Sequence, residues 1–338
     1  MVSTGPVQPI LGIETSCDET AAAVVAGGRF IQSSIVSSQV DLHARFGGVV
    51  PEIASRAHVD LVGPVIAEAL GEATIDLDGL TAVAACRGPG LAGALLVGVS
   101  AAKALALVTG LPYVAVNHLE AHLYAAWLEE PDLEPPLAVL VVSGGHTLVV
   151  IMEGHGRYRV VGQTVDDAAG EAFDKVARHL GLGYPGGPAI DGIAAHGDPD
   201  AIRFPRAMPR EPDLSFAGLK TAVVTHLRRH PDASVADVAA SFQAAVVDQL
   251  ADKLLAAADA ADASTLVLGG GVAANSALRA RVASAADATG RRAFLPPPAL
   301  CTDNAAMIAA AAWWRLAADG PTPLDDGVDP TLALPSVG

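Results

Sequence analysis

The run Leu137-Ala138-Val139-Leu140-Val141-Val142 passes through Ser143-Gly144-Gly145-His146-Thr147 into Leu148-Val149-Val150-Ile151-Met152, and its reading decides the fold. Six apolar residues make a buried strand, the small and polar residues after them reverse the chain, and a second apolar run returns. The same plan stands about 130 residues earlier in other letters: Pro9-Ile10-Leu11-Gly12-Ile13-Glu14, the turn Thr15-Ser16-Cys17-Asp18-Glu19-Thr20, then the apolar Ala21 to Val25. Such a turn can offer backbone N–H groups to a phosphate while its acids hold a cation. A strand, a small-residue turn and a strand at the head of each half predict two related lobes facing one another across a cleft.

Length points the same way, because 338 residues exceed the usual size of one hydrophobic core. We expect one lobe over residues 1–128, a second over 129–300, and a C-terminal stretch, 301–338, whose helix packs back on the first. The acidic, proline-bearing segment from Glu129 to Pro136 is the expected connection. Helical spacing from Pro51 to Leu70, a strand at Ala82 to Cys86, a long helix ending near Thr109 and a strand at Pro112 to Val116 fill the first half. Residues 235–262 read as an Ala-rich helix or helix pair, Thr265 to Leu268 as a strand, and Ala305 to Leu316 as a helix. By analogy this is the plan of the actin, Hsp70 and sugar-kinase group. That plan is α/β, a duplicated ribonuclease-H-like fold, with a nucleotide in the cleft between the lobes.

The chemistry centres on Val116-Asn117-His118-Leu119-Glu120-Ala121-His122-Leu123-Tyr124. Two histidines four residues apart, without Gly or Pro between them, fall on one helix face about 40° apart, close enough to share a metal ion. Glu120 lies about 200° round the helix from each and points away. In the protease motif H-E-x-x-H the Glu directly follows the first His, so this chain has the pair without the protease's base. The competing reading is two surface histidines. Cys301-Thr302-Asp303-Asn304 also admits two readings: Asp303 as a helix N-cap, or as a third metal ligand.

Other stretches carry weaker signals. Gly88-Pro89-Gly90-Leu91-Ala92-Gly93 turns a strand into a helix but lacks the Lys of a P-loop. On a helix, Asp167, Glu171 and Asp174 would project along one side. Gly181 to Pro188 packs four glycines and two prolines into eight residues, and Gly269-Gly270-Gly271-Val272-Ala273-Ala274-Asn275 follows a strand, where glycines admit a flat ring such as adenine.

A formal charge of −16 argues against indiscriminate nucleic-acid binding. Yet Arg203 to Arg229 holds six basic residues against two acids, and Arg279, Arg281, Arg291 and Arg292 form a second cluster. Either is solvated surface or a local footprint for an anion. Three isolated cysteines suit the cytoplasm. No signal peptide is visible at the N-terminus, and Leu91 to Gly110, broken by Lys103 and glycines, fits a buried helix better than a membrane span.

Taken together, Gly12 to Thr20, Asn117 to His122, Val142 to Thr147, Gly170 to Lys175, Tyr184 to Pro188, Gly269 to Asn275 and Cys301 to Asn304 resemble, in one order, the TsaD family of tRNA N(6)-adenosine threonylcarbamoyltransferases. The resemblance covers residues 10 to about 316. It implies an actin-like two-lobed fold and transfer of a threonylcarbamoyl group from threonylcarbamoyl-AMP to the adenosine at position 37 of tRNAs reading codons that begin with A. Matched motif by motif, His118, His122 and Asp303 would hold one divalent metal, iron or zinc. Val141, Val142, Ser143, Gly144, Gly145, Asp174, Gly187, Asp191 and Asn275 would bind substrate, and Glu14 and Asp18 would be catalytic acids. The resemblance also implies an adenine nucleotide (threonylcarbamoyl-AMP, ATP or ADP) in the cleft. The implied partners are tRNA, a paralogous actin-like subunit and a small ATPase, TsaB- and TsaE-like, and no membrane. Arg87 before the Gly-Pro-Gly turn, and Ala217 in place of Ser, depart from the family pattern. A sugar- or acetate-type kinase, a metalloprotease and a non-enzymatic scaffold are the rival readings.

Overall fold

The computed structural model describes residues 8–336 apart from Pro131. The chain divides into two compact units, the first comprising residues up to Leu133 together with Asp303–Pro335, the second essentially Glu134–Thr302. The division falls inside the proline-bearing connection, of which Pro131 lies outside the described residues.

In the first unit, β1 (Pro9–Glu14), β2 (Glu19–Ala26) and β3 (Phe30–Ser38) form an antiparallel meander. Helices α1 (Val40–Ala44) and α2 (Pro51–Ala73) lead to β4 (Ala82–Gly88), which lies parallel to β1. Helix α3 (Ala92–Thr109) crosses to β5 (Tyr113–Asn117), parallel to β4, and β5 runs directly into α4 (His118–Tyr124). The sheet order is β3-β2-β1-β4-β5. Its central strands are buried on both faces, which is why β1, β2 and β4 read as nearly unbroken apolar runs.

The second unit repeats the arrangement. Strands β6 (Leu137–Val142), β7 (Thr147–Gly154) and β8 (Arg157–Gln163) make the meander, and β9 (Thr265–Gly269) and β10 (Arg292–Phe294) add in parallel on the other side of β6. The order β8-β7-β6-β9-β10 copies that of the first sheet strand for strand. Between β8 and β9 come α5 (Ala169–His179), α6 (Gly186–Ala194), α7 (Ala217–Arg229) and α8 (Val235–Ala260). Helices α9 (Ser276–Thr289) and α10 (Pro298–Cys301) flank β10. The chain then returns to the first unit as α11 (Ala305–Asp319), whose Ala-rich face lies on β1. That contact needs Gly12, where a Cβ would come within 2.8 Å of Ala309 N and run into the carbonyl oxygen of Ala305.

Helix α3 is long and apolar enough to cross a membrane by length and composition. In this fold Leu95, Val99, Ala102 and Ala106 are buried in the first unit's core, while Leu96, Leu107 and Val108 are exposed. Thr15 fixes its start: the hydroxyl donates to Ala94 O at 2.8 Å and accepts from Gly98 N at 3.2 Å.

Of the two readings of residues 235–262, the single helix holds, as α8 over Val235–Ala260. One local expectation is corrected. Asp167 does not share a helix face with Glu171 and Asp174, because α5 starts only at Ala169. The Asp166 and Asp167 carboxylates are drawn elsewhere: Asp166 accepts from Phe216 N (2.8 Å) and the Ser215 hydroxyl, and Asp167 takes Lys175 (3.0 Å) and Lys220 (2.6 Å).

Candidate metal centre and substrate turns

Because β5 feeds straight into α4, the end of a buried strand delivers the histidines into the first unit's interior. Asn117 is the N-cap: its Oδ1 accepts from Leu119 N at 2.9 Å and Glu120 N at 3.2 Å. One turn of helix then brings His118 edge-on to His122, with ring centroids 4.8 Å apart. Asn304 caps α11, accepting from Met307 N at 3.0 Å, which leaves the neighbouring Asp303 carboxylate without that duty. Asp303 Oδ1 lies 3.4 Å from His118 Nε2 and 3.3 Å from His122 Nε2. All three residues belong to the first unit, and both histidines are buried.

The donor set suits a cation. Neither ring nitrogen of His122 has a hydrogen-bond partner among the described residues, although both are buried; the 3.3 Å approach to Asp303 lacks hydrogen-bond geometry. A buried imidazole left so is costly unless something else takes a lone pair. His118 has the second contact that a ligating imidazole uses: Nδ1 lies 3.2 Å from both Glu14 Oε2 and Ser16 Oγ. A proton on Nδ1, donated to Glu14, leaves the Nε2 lone pair facing Asp303.

Electrostatics follow from crowding. Burial pushes the Asp303 carboxyl up, but the charge of His118 first, and then the nearness of His122, outweigh it and hold Asp303 well below the usual carboxylate range. Burial pulls His118 down, and Asp303 and then Glu14 more than reverse that. Glu19 is pushed up to about 9, first by burial, then by Asp303 and Asp18. A positive ion would relieve this excess of carboxylates.

A second group, Glu14, Cys86 and His118, also brings its donor atoms within 4.8 Å of one another. Its thiol is pushed up to about 12, by burial first and then by Glu14. Glu14 Oε2 meets His118 at Nδ1 (3.2 Å), the ring nitrogen that does not face Asp303. Sequence reasoning misses Ser16, in the turn after β1, and Cys86, in β4, because nothing in the letters ties either to His118. Glu120 pairs through both carboxylate oxygens with Arg315 Nε, at 3.0 and 2.9 Å.

The second unit carries the other expected residues. Val141 and Val142 are buried strand residues, so only their backbone is on offer, whereas Gly144 and Gly145 are exposed. The turn is closed by Ser143 N donating to His146 O (2.8 Å) and His146 N donating to Ser143 Oγ (3.1 Å). Several glycines quoted from the sequence serve this packing. A Cβ on Gly170 would come within 2.8 Å of Gly144 Cα, and Gly270, at φ +85°, abuts the backbone of Val142. Asp174 Oδ1 accepts from Gly186 N at 2.7 Å, and Gly187 faces open space.

Asp191 and Asn275 meet. Asp191 accepts from Asn275 Nδ2 (3.2 Å), Ser276 N (3.0 Å) and the Ser276 hydroxyl (2.8 Å). Asn275 also donates to Gln243 Oε1 (2.8 Å) and caps α9 through Leu278 N (2.9 Å). Both side chains therefore hold the turn into α9.

Of the basic clusters, the second is spent internally: Arg279 donates to the carbonyls of Pro296 and Leu295, Arg281 pairs with Asp252, and Arg291 pairs with Asp259. In the first, Arg206 is paired with Asp248 and Lys220 with Asp167, while Arg203, Arg210, Arg228 and Arg229 are exposed.

Comparison with known proteins gives concordant results. The family model TsaD, tRNA N6-adenosine threonylcarbamoyltransferase, matches residues 30–310. Relatives named tRNA N6-adenosine threonylcarbamoyltransferase include one from Symbiobacterium thermophilum, 55% identical over 329 residues and covering 96% of each chain. One from Anaeromyxobacter dehalogenans is 58% identical over 308 residues, covering 89% of this chain and 92% of its own. Among solved structures, HypF of T. kodakarensis superposes with a TM-score of 0.66 at 14% identity over 92% of this chain and 49% of its own. Component A of the Acidaminococcus fermentans (R)-2-hydroxyglutaryl-CoA dehydratase gives 0.56 at 15% identity, over 92% of this chain and 99% of its own. At those identities the likeness is one of fold.

Proposed function

Because the chain belongs to the TsaD family and is a tRNA N6-adenosine threonylcarbamoyltransferase, we propose that it takes the threonylcarbamoyl group from threonylcarbamoyl-AMP and passes it to the N6 amine of adenosine 37 in tRNAs reading codons that begin with A, releasing AMP. The observation that carries the metal-assisted form of this reading is the approach of Asp303 to within 3.4 Å of both His118 and His122, with both nitrogens of His122 otherwise unpartnered among the described residues. One divalent ion, iron or zinc, held there would bind the threonyl carboxylate or polarise the carbamoyl carbonyl as a Lewis acid.

The chain's own groups would do the rest. Glu14 acts through His118, keeping its Nδ1 protonated and its Nε2 turned to the ion. Asp18, beside Glu19 in the first turn, adds to the negative field. Backbone amides of the Ser143–Gly145 turn receive the adenylate phosphate, and Asp174 and Gly187 bind the rest of an adenine nucleotide. Asp191 and Asn275 shape the turn that accepts the adenosine, as their mutual hydrogen bond suits. The N6 lone pair of adenine is delocalised into its ring, and the donor is already activated by its AMP leaving group. Direct attack by a well-aligned amine is therefore the simpler course, with no side-chain nucleophile.

tRNA contacts centre on the exposed arginines of 203–229 in the second unit. With a chain charge of −16, partner proteins add binding surface; a paralogous actin-like subunit and a small ATPase, TsaB- and TsaE-like, are the partners we assign, in the cytoplasm. The test is reconstitution with threonylcarbamoyl-AMP, unmodified tRNA and those partners. Asp303→Ala should bind no stoichiometric metal and lose at least about a hundredfold in rate. A variant retaining full rate in metal-free buffer would refute the metal-assisted reading.

A further inference from the structure

The first unit ends in a stretch, residues 320–335, that carries no helix or strand and has no part in the chemistry above. Pro321, Pro323, Pro330 and Pro335 exclude a helix there. It is nevertheless pinned along its length. Thr322 N donates to Tyr113 O at 2.8 Å, and Thr322 Oγ1 accepts from Ala115 N at 2.9 Å, binding it to β5. Asp326 takes the Arg87 guanidinium on its carboxylate and Lys103 Nζ on its carbonyl. Asp329 N donates to Arg87 O at 2.9 Å, and Leu334 is buried. Gly88 sits where the strap passes: its φ is +152°, and a Cβ there would run into the Asp329 carbonyl.

Two routes lead from this strap to the histidines. Asn117, only 6% exposed, donates from Nδ2 to Ala333 O at 2.8 Å, while its Oδ1 caps the first turn of α4. An amide whose oxygen is held by two N–H groups cannot turn over, so its donor must face the strap. On the other side, Pro330 O holds Gly90 N at 3.1 Å, Leu91 N donates to Ser16 O at 2.8 Å, and Ser16 Oγ lies 3.2 Å from His118 Nδ1. Helix α4 has only 7 residues, too few to stand without tertiary contacts, and its first turn is closed by this cap.

We propose that the strap 320–335 is a positioning element for the metal centre: by holding Asn117 and the Gly88–Gly90 turn it keeps His118 and His122 aimed at Asp303. The inference rests on the metal reading above, and the test separates the two. Deletion of Asp329 to Gly338 and the substitution Asn117→Asp are compared with the full chain. The substitution keeps an oxygen to cap α4 but sets an acceptor against the Ala333 carbonyl. Zn2+ affinity is read by competition with a chromogenic chelator. Amide hydrogen exchange at Leu119 and Glu120 is read without metal, with the amides of β9 in the second unit as reference.

Zn2+ affinity should fall about tenfold or more in both variants. In the deletion, exchange at Leu119 and Glu120 should quicken while β9 stays protected. An affinity within about twofold of the full chain in Asn117→Asp, or unchanged exchange in a folded deletion, overturns the proposal. If β9 also loses protection, the deletion has unfolded and Asn117→Asp decides alone. Failure of the metal reading looks different: the full chain would itself take up no Zn2+ and would match His122→Ala, and the exchange rates in the deletion would then decide whether the strap holds α4.

Discussion

Asp303 and Asn304 have side chains of nearly the same shape and do different work. Asn304 caps α11, so the Asp303 carboxylate is left to sit between two imidazoles. Sequence left both duties open for Asp303 because N-cap and ligand call for the same residue type, and only the backbone decides which neighbour caps. The spacing of His118 and His122 was legible, since a helix period puts them on one face. The approach of Ser16 and Cys86 to His118 was not, since it depends on how β1, β4 and β5 are paired. His58 is another buried group whose chemistry emerges only in the fold. Its Nε2 donates to Cys17 O (3.1 Å), and its Nδ1 accepts from Thr20 Oγ1 (2.7 Å) and Gln39 Nε2 (3.3 Å), a set that only the neutral ring satisfies. Burial lowers its pKa. Below about pH 6.5 the unfolded chain then binds a proton that the folded ring refuses, so stability is full above that pH and is lost as pH falls. Replacing His58→Gln should flatten the pH dependence of the unfolding free energy just below about pH 6.5, by up to about 1.4 kcal/mol per pH unit. Denaturant titrations over that range check this, and parallel slopes would mean that the ring protonates in the fold.

At the scale of elements, the contact between β1 and α11 sets where Asp303 stands, because α11 begins two residues after it. Gly12 lets the helix lie directly on the strand. Gly12→Ala should therefore cost about 1–3 kcal/mol of stability through overpacking. By shifting the start of α11 it should also weaken metal binding; thermal unfolding and Zn2+ titration read the two effects. A variant with unchanged Tm and unchanged affinity would show that the helix has room to spare. Helical spacing makes Asp167 a neighbour of Glu171 and Asp174, but Lys175 and Lys220 compete for its carboxylate from different elements, and that competition has no sequence period. The strap 320–335 was equally silent, because its holds on the fold run largely through backbone carbonyls and N–H groups, which any residue carries.

Across the whole molecule, the duplication was the most legible feature. Two strand–turn–strand openings in different letters head two sheets of identical strand order. The charge pattern was only half legible. Two basic clusters look alike as sequence, yet one is consumed by Asp252, Asp259 and main-chain carbonyls, while Arg210 and Arg228 stand exposed in the other. Reversing Arg210 and Arg228 to Asp should weaken tRNA binding and lower the slope of log affinity on log salt by roughly two. An unchanged slope would put the tRNA elsewhere. Residue, element and fold meet where side chains about 185 residues apart in the chain converge on one cation. X-ray absorption at the zinc or iron edge of the metal-loaded protein reads that convergence. Two imidazole nitrogens and a carboxylate oxygen should surround the ion at about 2.0–2.2 Å, with one nitrogen lost in His122→Ala. A shell containing sulfur, or one unaltered by that substitution, would contradict it.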